Sequence, residues 1–407
     1  MVEISRSKGH RKDGIRRSHG SHLTINFLVF VLALIGVLCL WVNLMFSVPF
    51  DSPSETVDCS TSSSAASAVD EVVNDSSTAT VMGMATGYDL SVYKSFVGSL
   101  RNTGYKGNII LVVSPKPEPG VEEYLTSQGV TMKRLQIVDC DTKIMNTEQV
   151  KNSHQKEVMT CAAPYPNLKV RWGRFPILRD YLEECTTCTG PVLITDVRDA
   201  FFQRDPFGDG APKVTGLQVF EESKFQKTTH WLVKFPVGQC KNIQIDETML
   251  CSGTTIGTRD AMLKYLDIMH KEMSQWMADP KCCCNAINGD DQSIHNYLFY
   301  TGQIPFAKAI QNRQGIVHTV GHQATQIFRA HEAALARDFP QNYTKDMAYK
   351  IPLNPKGDVW LGPEYDLVDE EGFFINYDGS RSRIVHQYDR FRSQIKPWLK
   401  KHGLLHK

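Results

Sequence analysis

The chain has 407 residues, too long for one average domain, and a length-based prior suggests two or three units before unfolded parts are discounted. Its formal net charge is +1, with 22% charged and 42% hydrophobic residues, an ordinary globular balance that gives no whole-chain reason to expect nucleic acid as a partner. Ligands must therefore be sought at individual sites.

Charge is unevenly placed at the start of the chain, where Arg6, Lys8, Arg11, Lys12, Arg16 and Arg17 face only Glu3 and Asp13. Phe27 to Val42 is then an unbroken apolar run, continued past Asn43 by Leu44, Met45 and Phe46. At about 1.5 Å per helical residue this run spans roughly 30 Å, a bilayer hydrocarbon core. A cleaved signal peptide and a buried core helix are the competing readings. Signal peptides have shorter apolar regions and a small-residue cleavage site, whereas Trp41, Phe46 and Phe50 here suit an aromatic interface belt. The expectation is a basic cytoplasmic tail (1–22), a transmembrane signal anchor (23–48) and, by the positive-inside rule, a translocated remainder.

Residues 49–79 contain no Lys or Arg, carry Asp51, Glu55, Asp58, Asp70, Glu71 and Asp75, and are dense in Ser, Thr and Ala. Such a segment cannot bury enough apolar surface to offset its ordering entropy and is expected to be a disordered stem. Asn74-Asp75-Ser76 and Asn342-Tyr343-Thr344 are glycosylation sequons. Of the 11 cysteines, Cys39 lies in the apolar run and the others follow it (Cys59, Cys140, Cys161, Cys185, Cys188, Cys240, Cys251, Cys282, Cys283, Cys284). In an oxidising lumen these are disulfide candidates, with connectivity unreadable. Cys185-Thr-Thr-Cys188 could instead open a zinc site, but no second ligand pair follows at finger or ribbon spacing.

The remainder, 80–407, reads as an α/β domain. Thr80 to Ala85 is a short apolar strand ending in Thr86-Gly87, after which Leu90, Tyr93, Phe96, Val97 and Leu100 mark one face of a helix. Asn108 to Ser114 is a buried-type strand, Val121 to Gln128 a helix, and Thr131 to Val138 a further strand. This alternation predicts a Rossmann-like, mostly parallel sheet flanked by helices, with ligands outside the carboxyl ends of the strands. That rule points to Thr86 to Asp89, and to Asp196-Val197-Arg198-Asp199 after the strand Pro191 to Thr195. The preceding helix, Trp172 to Glu184, turns Phe175, Leu178 and Leu182 to a core and also carries Arg174. Carboxylates flanked by Arg at a strand end suit a diphosphate held through Mg²⁺ or Mn²⁺. A solvated loop in which Asp196 or Asp199 pairs with Arg198 is the plainer alternative.

Two further constellations follow. Met249 to Arg259 reads as a strand whose Ser252-Gly253 and Gly257 allow close backbone approach. Asn288 to Gln292 reads as a turn before a helix from Ser293 to Tyr300, where capping by Asp290 or Asp291 is an alternative to chemistry. Finally, His386 follows the apolar pair Ile384-Val385 and precedes Lys396-Pro397-Trp398, in a setting where imidazole can ligate metal.

In this order, TVMGMAT, PVLITDVRD, CSGTTIG, GDDQ and a late His followed by KPW, the segments resemble GT-A fold nucleotide-diphospho-sugar glycosyltransferases. The resemblance is nearest to retaining, glycogenin-like enzymes and to plant and algal type II Golgi transferases with segments such as TDVRDAFFQRDPF. It covers roughly Thr80 to Trp398. It implies transfer of a hexose or pentose from a nucleoside diphosphate sugar to a glycan, protein or lipid acceptor, in the Golgi or endoplasmic reticulum membrane. It further implies Asp196, Asp199 and His386 as ligands of Mn²⁺ or Mg²⁺, and Thr86, Tyr88, Arg174, Arg198 and Lys396 as contacts to the nucleotide sugar. Asp290, Asp291 and Gln292 would then lie at the reacting centre.

One departure stands out, since the family's paired acids are usually separated by one residue and Asp196 and Asp199 by two. A non-catalytic lumenal sugar-binding protein with a degenerate metal site is the rival that this spacing keeps open. A phosphatase-like hydrolase with Asp196 as nucleophile is disfavoured, because Asp196 comes late in the alternation and Ala200-Phe201 follow Asp199.

Overall fold

The computed structural model describes residues 76–140, 160–224, 226–279, 290–321 and 367–391, with a few isolated positions such as Cys282. The expected tail, anchor and nearly all of the stem, the second sequon and Lys396 lie outside the described residues. Among those described, no helix is long and apolar enough to cross a membrane.

The chain opens with β1 (Thr80–Ala85), helix α1 (90–102), β2 (Asn108–Val113), α2 (Val121–Ser127) and β3 (Thr131–Arg134). Asp89 starts α1 by accepting hydrogen bonds from the Ser91 and Val92 N–H groups, satisfying donors that the first turn leaves unpaired. Strands β1, β2 and β3 pair in parallel. Side chains alternate between two apolar clusters, as a period of two requires: Val81, Ala85, Ile109, Leu111 and Val113 enter one, and Met82, Ile110 and Val112 the other. A sheet buried on both faces needs helices on both, and α1 covers the first cluster.

The second cluster is closed by α3 (Val170–Glu184), through Trp172, Phe175 and Leu178, and by α5 (Arg259–Ala278), through Met262, Leu266 and Met269. Between these helices run β7 (Val192–Thr195), β9 (Leu217–Glu221), α4 (Trp231–Lys241) and β10 (Leu250–Gly257). Helix α6 (Asp290–Tyr300) and β11 (Ala307–Ile310) follow. The seven-stranded sheet has the order β11-β9-β10-β7-β1-β2-β3, in which β10 alone runs against its neighbours. The α/β class with a mostly parallel, helix-flanked sheet is therefore as expected. The chain builds outward from β1 to β3, then returns to lay β7 on the other side of β1. Such a reversal opens a crevice at the carboxyl ends of the two central strands.

Two three-stranded sheets complete the described fold. One joins β4 (Gln136–Asp139), β5 (Thr160–Ala163) and β6 (Tyr165–Lys169). The other joins β8 (Ala200–Phe202), β12 (Val317–Thr319) and β13 (Ile384–His386), with β13 in the middle. The expected strand Thr131 to Val138 is thus two strands in different sheets. Leu135 breaks it, burying its side chain while its N–H donates to the Val113 carbonyl.

Disulfides join Cys140 to Cys161, Cys185 to Cys188 and Cys240 to Cys282. The Cys185–Cys188 pair is a disulfide rather than half of a zinc site. Cys251 departs from the disulfide expectation, being buried and free. Cys59, Cys283 and Cys284 lie outside the described residues.

Candidate metal centre

Asp196 and Asp199 leave the carboxyl end of β7, at the reversal point beside β1. Gly83 makes room for this turn, since a Cβ there would lie 2.6 Å from Val197 Cγ2 and 2.7 Å from the Thr195 carbonyl. The chain then enters β8 at Ala200, whose antiparallel partner in register is His386 of β13. This pairing carries a residue from far along the chain to the side of Asp199. On the other side β10 pairs with β7, and the Asp196 N–H donates to the Gly253 carbonyl at 2.8 Å.

Asp196, Asp199 and His386 each offer one ligand atom, and these atoms lie within 4.8 Å of one another. His386 Nε2 is 3.8 Å from Asp196 Oδ2 and 3.6 Å from Asp199 Oδ1. Asp199 is 4% exposed and His386 1%, yet neither Asp199 Oδ1 nor His386 Nε2 has a hydrogen-bond partner in the described structure. Burying polar atoms unsatisfied is costly, so two of them turned towards one point fit a bound cation. Two carboxylate oxygens and one imidazole nitrogen form a donor set for a divalent ion. The three residues can hold a metal ion, and the two-residue spacing in Asp196-Val197-Arg198-Asp199 does not keep the carboxylates apart.

Gly253 forms the floor of the site. A Cβ built there would stand 2.6 Å from Asp196 Oδ2 and 2.8 Å from His386 Nε2, closer than real Cβ contacts come. The close-approach glycine read from CSGTTIG thus has a definite function, to let β10 pass beneath the acid and the histidine.

Arg174 projects from α3 and makes two ion pairs, Nη1 with Asp196 Oδ1 and Nη2 with Asp291 Oδ2, both at 2.5 Å. Burial opposes charge on Asp196, but the Arg174 guanidinium, and after it His386, outweigh this and hold the carboxyl below its usual range. Tyr88, half-buried just past β1, has its hydroxyl pushed up first by burial and then by the charge of Asp196. Thr86 is half-buried at the same strand end. Arg198 is about half exposed, with Nη2 3.3 Å from Asp389 and 3.7 Å from Asp199. The plainer Arg198–Asp199 pairing therefore exists, and it occurs alongside the metal-ligand grouping.

Helix α6 begins at Asp290, so Asp290, Asp291 and Gln292 form its first turn and not a preceding turn. Asp291 faces Arg174. Gln292 is buried and directed elsewhere, its amide donating to Glu222 Oε1 at 2.8 Å and to the Leu250 carbonyl at 3.1 Å. Asn296, one turn on, accepts from the Leu250 N–H and donates to the Leu250 carbonyl, both at 2.8 Å. These amides clip α6 to the end of β10 and so aim Asp291. Sequence reading missed Asn296 and Glu222. The one available signal was two amides four residues apart, Gln292 and Asn296, on one face of the helix.

No protein-family model and no curated relative matches the chain. The functional reading rests on the site and on the resemblance of its motifs.

Proposed function

We propose that the chain is a metal-dependent glycosyltransferase of the GT-A type that moves a hexose or pentose from a nucleoside diphosphate sugar to a glycan, protein or lipid acceptor. The observation that carries this reading is the Asp196, Asp199 and His386 group at the carboxyl ends of the central strands, where α/β sheets bind nucleotides. Mn²⁺ suits the set better than Mg²⁺, because imidazole is a common ligand for transition metals and Mg²⁺ favours oxygen throughout. A bound ion would supply charge neutralisation for a leaving diphosphate.

The chain's own residues have separate parts in this reading. Tyr88 and Thr86, at the end of β1, face the nucleoside, and Arg198, half in solvent, faces the diphosphate. Arg174 holds Asp196 and Asp291 in fixed positions, which places Asp291 beside the cluster as the carboxylate nearest the transferred sugar. Retention of configuration follows from the motif resemblance. An N-terminal anchor in the Golgi or endoplasmic reticulum membrane would put the domain in the lumen, where the three disulfides among the described residues are stable.

The test is nucleoside diphosphate release by the purified full-length chain, offered a panel of nucleoside diphosphate sugars with and without Mn²⁺. Turnover with one donor that falls at least 100-fold in Asp199→Ala is expected. Failure of every donor to be hydrolysed or transferred, with no thermal shift from any nucleotide, would sink the transferase reading.

A further inference from the structure

Trp231 and Phe235 are 47% and 57% exposed, two of the four large hydrophobic side chains that the described residues leave to solvent. They stand one turn apart on α4, whose other face buries Val233, Pro236 and Val237, so both rings share an outer stripe with the exposed Lys234. This stripe lies at the metal-centre edge of the sheet. Strands β7 and β9 both run against β10, so their carboxyl ends share one edge, and the chain leaves β9 there to reach α4. The Ser293 hydroxyl, two residues past Asp291, donates to the Leu232 carbonyl at 2.7 Å and fixes the first turn of α4 against that of α6. Charge beside the rings is one-sided. From Ser223 to Ile245 the chain carries four lysines and no Asp or Glu, although its net charge is only +1. Lys241 is taken up by Glu272, while Lys224, Lys227 and Lys234 are exposed.

We propose that this lysine-flanked aromatic stripe binds the acceptor, and that the acceptor is an anionic glycan carrying carboxylate or sulfate groups; the proposal rests on the transferase reading above. Aromatic rings left together in water mark a binding surface. The face of such a ring is electron-rich and takes the polarised C–H groups of a sugar, whose polar edge stays free. Lysine is a flexible point charge suited to anions on that edge, and a one-signed surface concentrates ligands of the opposite sign. An acidic sugar chain offers a flat apolar face and an anion in each unit, which matches rings and amines on one stripe. An acidic peptide brings the anions without the sugar faces, and a neutral glycan the faces without the anions.

A glycan held on the first turns of α4 lies beside the first turn of α6, where Asp291 is placed. In transfer, a glycan hydroxyl oxygen bonds to the anomeric carbon as the bond from that carbon to the diphosphate oxygen breaks. The nucleoside diphosphate leaves and the hydroxyl proton is lost to solvent.

The full-length chain in detergent is titrated, without donor or metal, with fluorescently labelled hexagalacturonate, its neutral methyl ester, a sulfated galactan hexasaccharide and hexaglutamate, and binding is read by anisotropy. At least one anionic glycan is expected to bind with a Kd below about 1 mM, the upper end of ordinary substrate affinities, and more tightly than the neutral ester and hexaglutamate. Which one binds separates carboxylate from sulfate. Phe235→Ala is expected to raise that Kd about fivefold and Trp231→Ala about tenfold. Lys227→Gln combined with Lys234→Gln is expected to raise it several-fold and to flatten its dependence on NaCl. Thermal unfolding shows whether each variant has folded; should Trp231→Ala not fold, Phe235→Ala and the lysine variant still decide. With the donor that turns over, the bound glycan is expected to speed nucleoside diphosphate release and to gain a sugar by mass spectrometry. Binding of neither anionic glycan, equal binding of the ester or of hexaglutamate, or an unchanged Kd in the folded aromatic variants overturns the proposal. A bound glycan that gains no sugar from an active donor overturns the acceptor role. In each of these cases donor turnover leaves the transferase reading standing. If no donor turns over, the transferase reading falls and the acceptor role falls with it, whatever the stripe binds.

Discussion

At the scale of single residues, the centre is defined as much by what is missing as by the side chains that could hold a metal ion. Gly253 is the clearest case. Gly253→Ala would push a methyl group against Asp196 and His386, so it is expected to weaken Mn²⁺ binding at least tenfold. The overpacking should also cost about 1–3 kcal/mol of stability, read from urea unfolding. A second residue-scale effect concerns pH. His295 is buried on α6, with Nδ1 2.8 Å from the Tyr265 hydroxyl and Nε2 unpartnered. Burial first, and then the nearby Arg174 charge, lower its pKa from 6.5 to about 3. The unfolded chain therefore takes up a proton below pH 6.5 that the folded chain refuses until about pH 3. Across this window stability falls on acidification, by about 1.4 kcal/mol per pH unit for this group alone. His295→Gln is expected to flatten the acid limb of a stability–pH curve measured between pH 7 and 4. An unchanged slope would mean that other groups set it.

At the scale of elements, the small sheet of β8, β12 and β13 decides whether the site exists. It contributes little to the main sheet, yet its register alone puts His386 opposite Ala200 and hence beside Asp199. Proline in a central strand removes a ladder donor and distorts both pairings. Val385→Pro is therefore expected to abolish Mn²⁺ binding while far-ultraviolet circular dichroism stays near that of the wild type. Helix α6 has a comparable role, because the Gln292 and Asn296 amides grip Leu250 and bring Asp291 to Arg174. The helix Ser293 to Tyr300 was legible from its apolar spacing. Its true start at Asp290 was not, since acidic residues suit both a cap and a first turn.

At the scale of the whole molecule, the apolar run at 27–46 precedes every described element in the chain. A chain that begins at residue 76 contains every described element and none of the apolar run at 27–46. Secreted from eukaryotic cells behind a cleavable signal, it is expected to be recovered in the medium with the Mn²⁺ affinity of the full-length protein. The full-length chain is expected to stay with membranes after alkaline carbonate washing. Extraction of the full-length chain by carbonate would contradict the anchor.

Local pattern was enough for the parts of this protein whose cause is local. The near-continuous apolar runs at 80–85 and 108–113 marked strands buried on both faces, and the 3.6 period at 90–100 marked the helix between them. The run of apolar residues at 27–46 and the acidic segment after it carry their expectations in composition alone, and the run and nearly all of the segment lie outside the described residues. Thr131 to Val138 could not be divided correctly, because both halves are good strand sequence and only the burial of Leu135 separates the sheets. The gathering of Asp196, Asp199 and His386, the passage of Gly253 beneath them and the free state of Cys251 belong to tertiary structure. Each depends on strand pairings between distant segments, and no local propensity records which pairing closes at what distance.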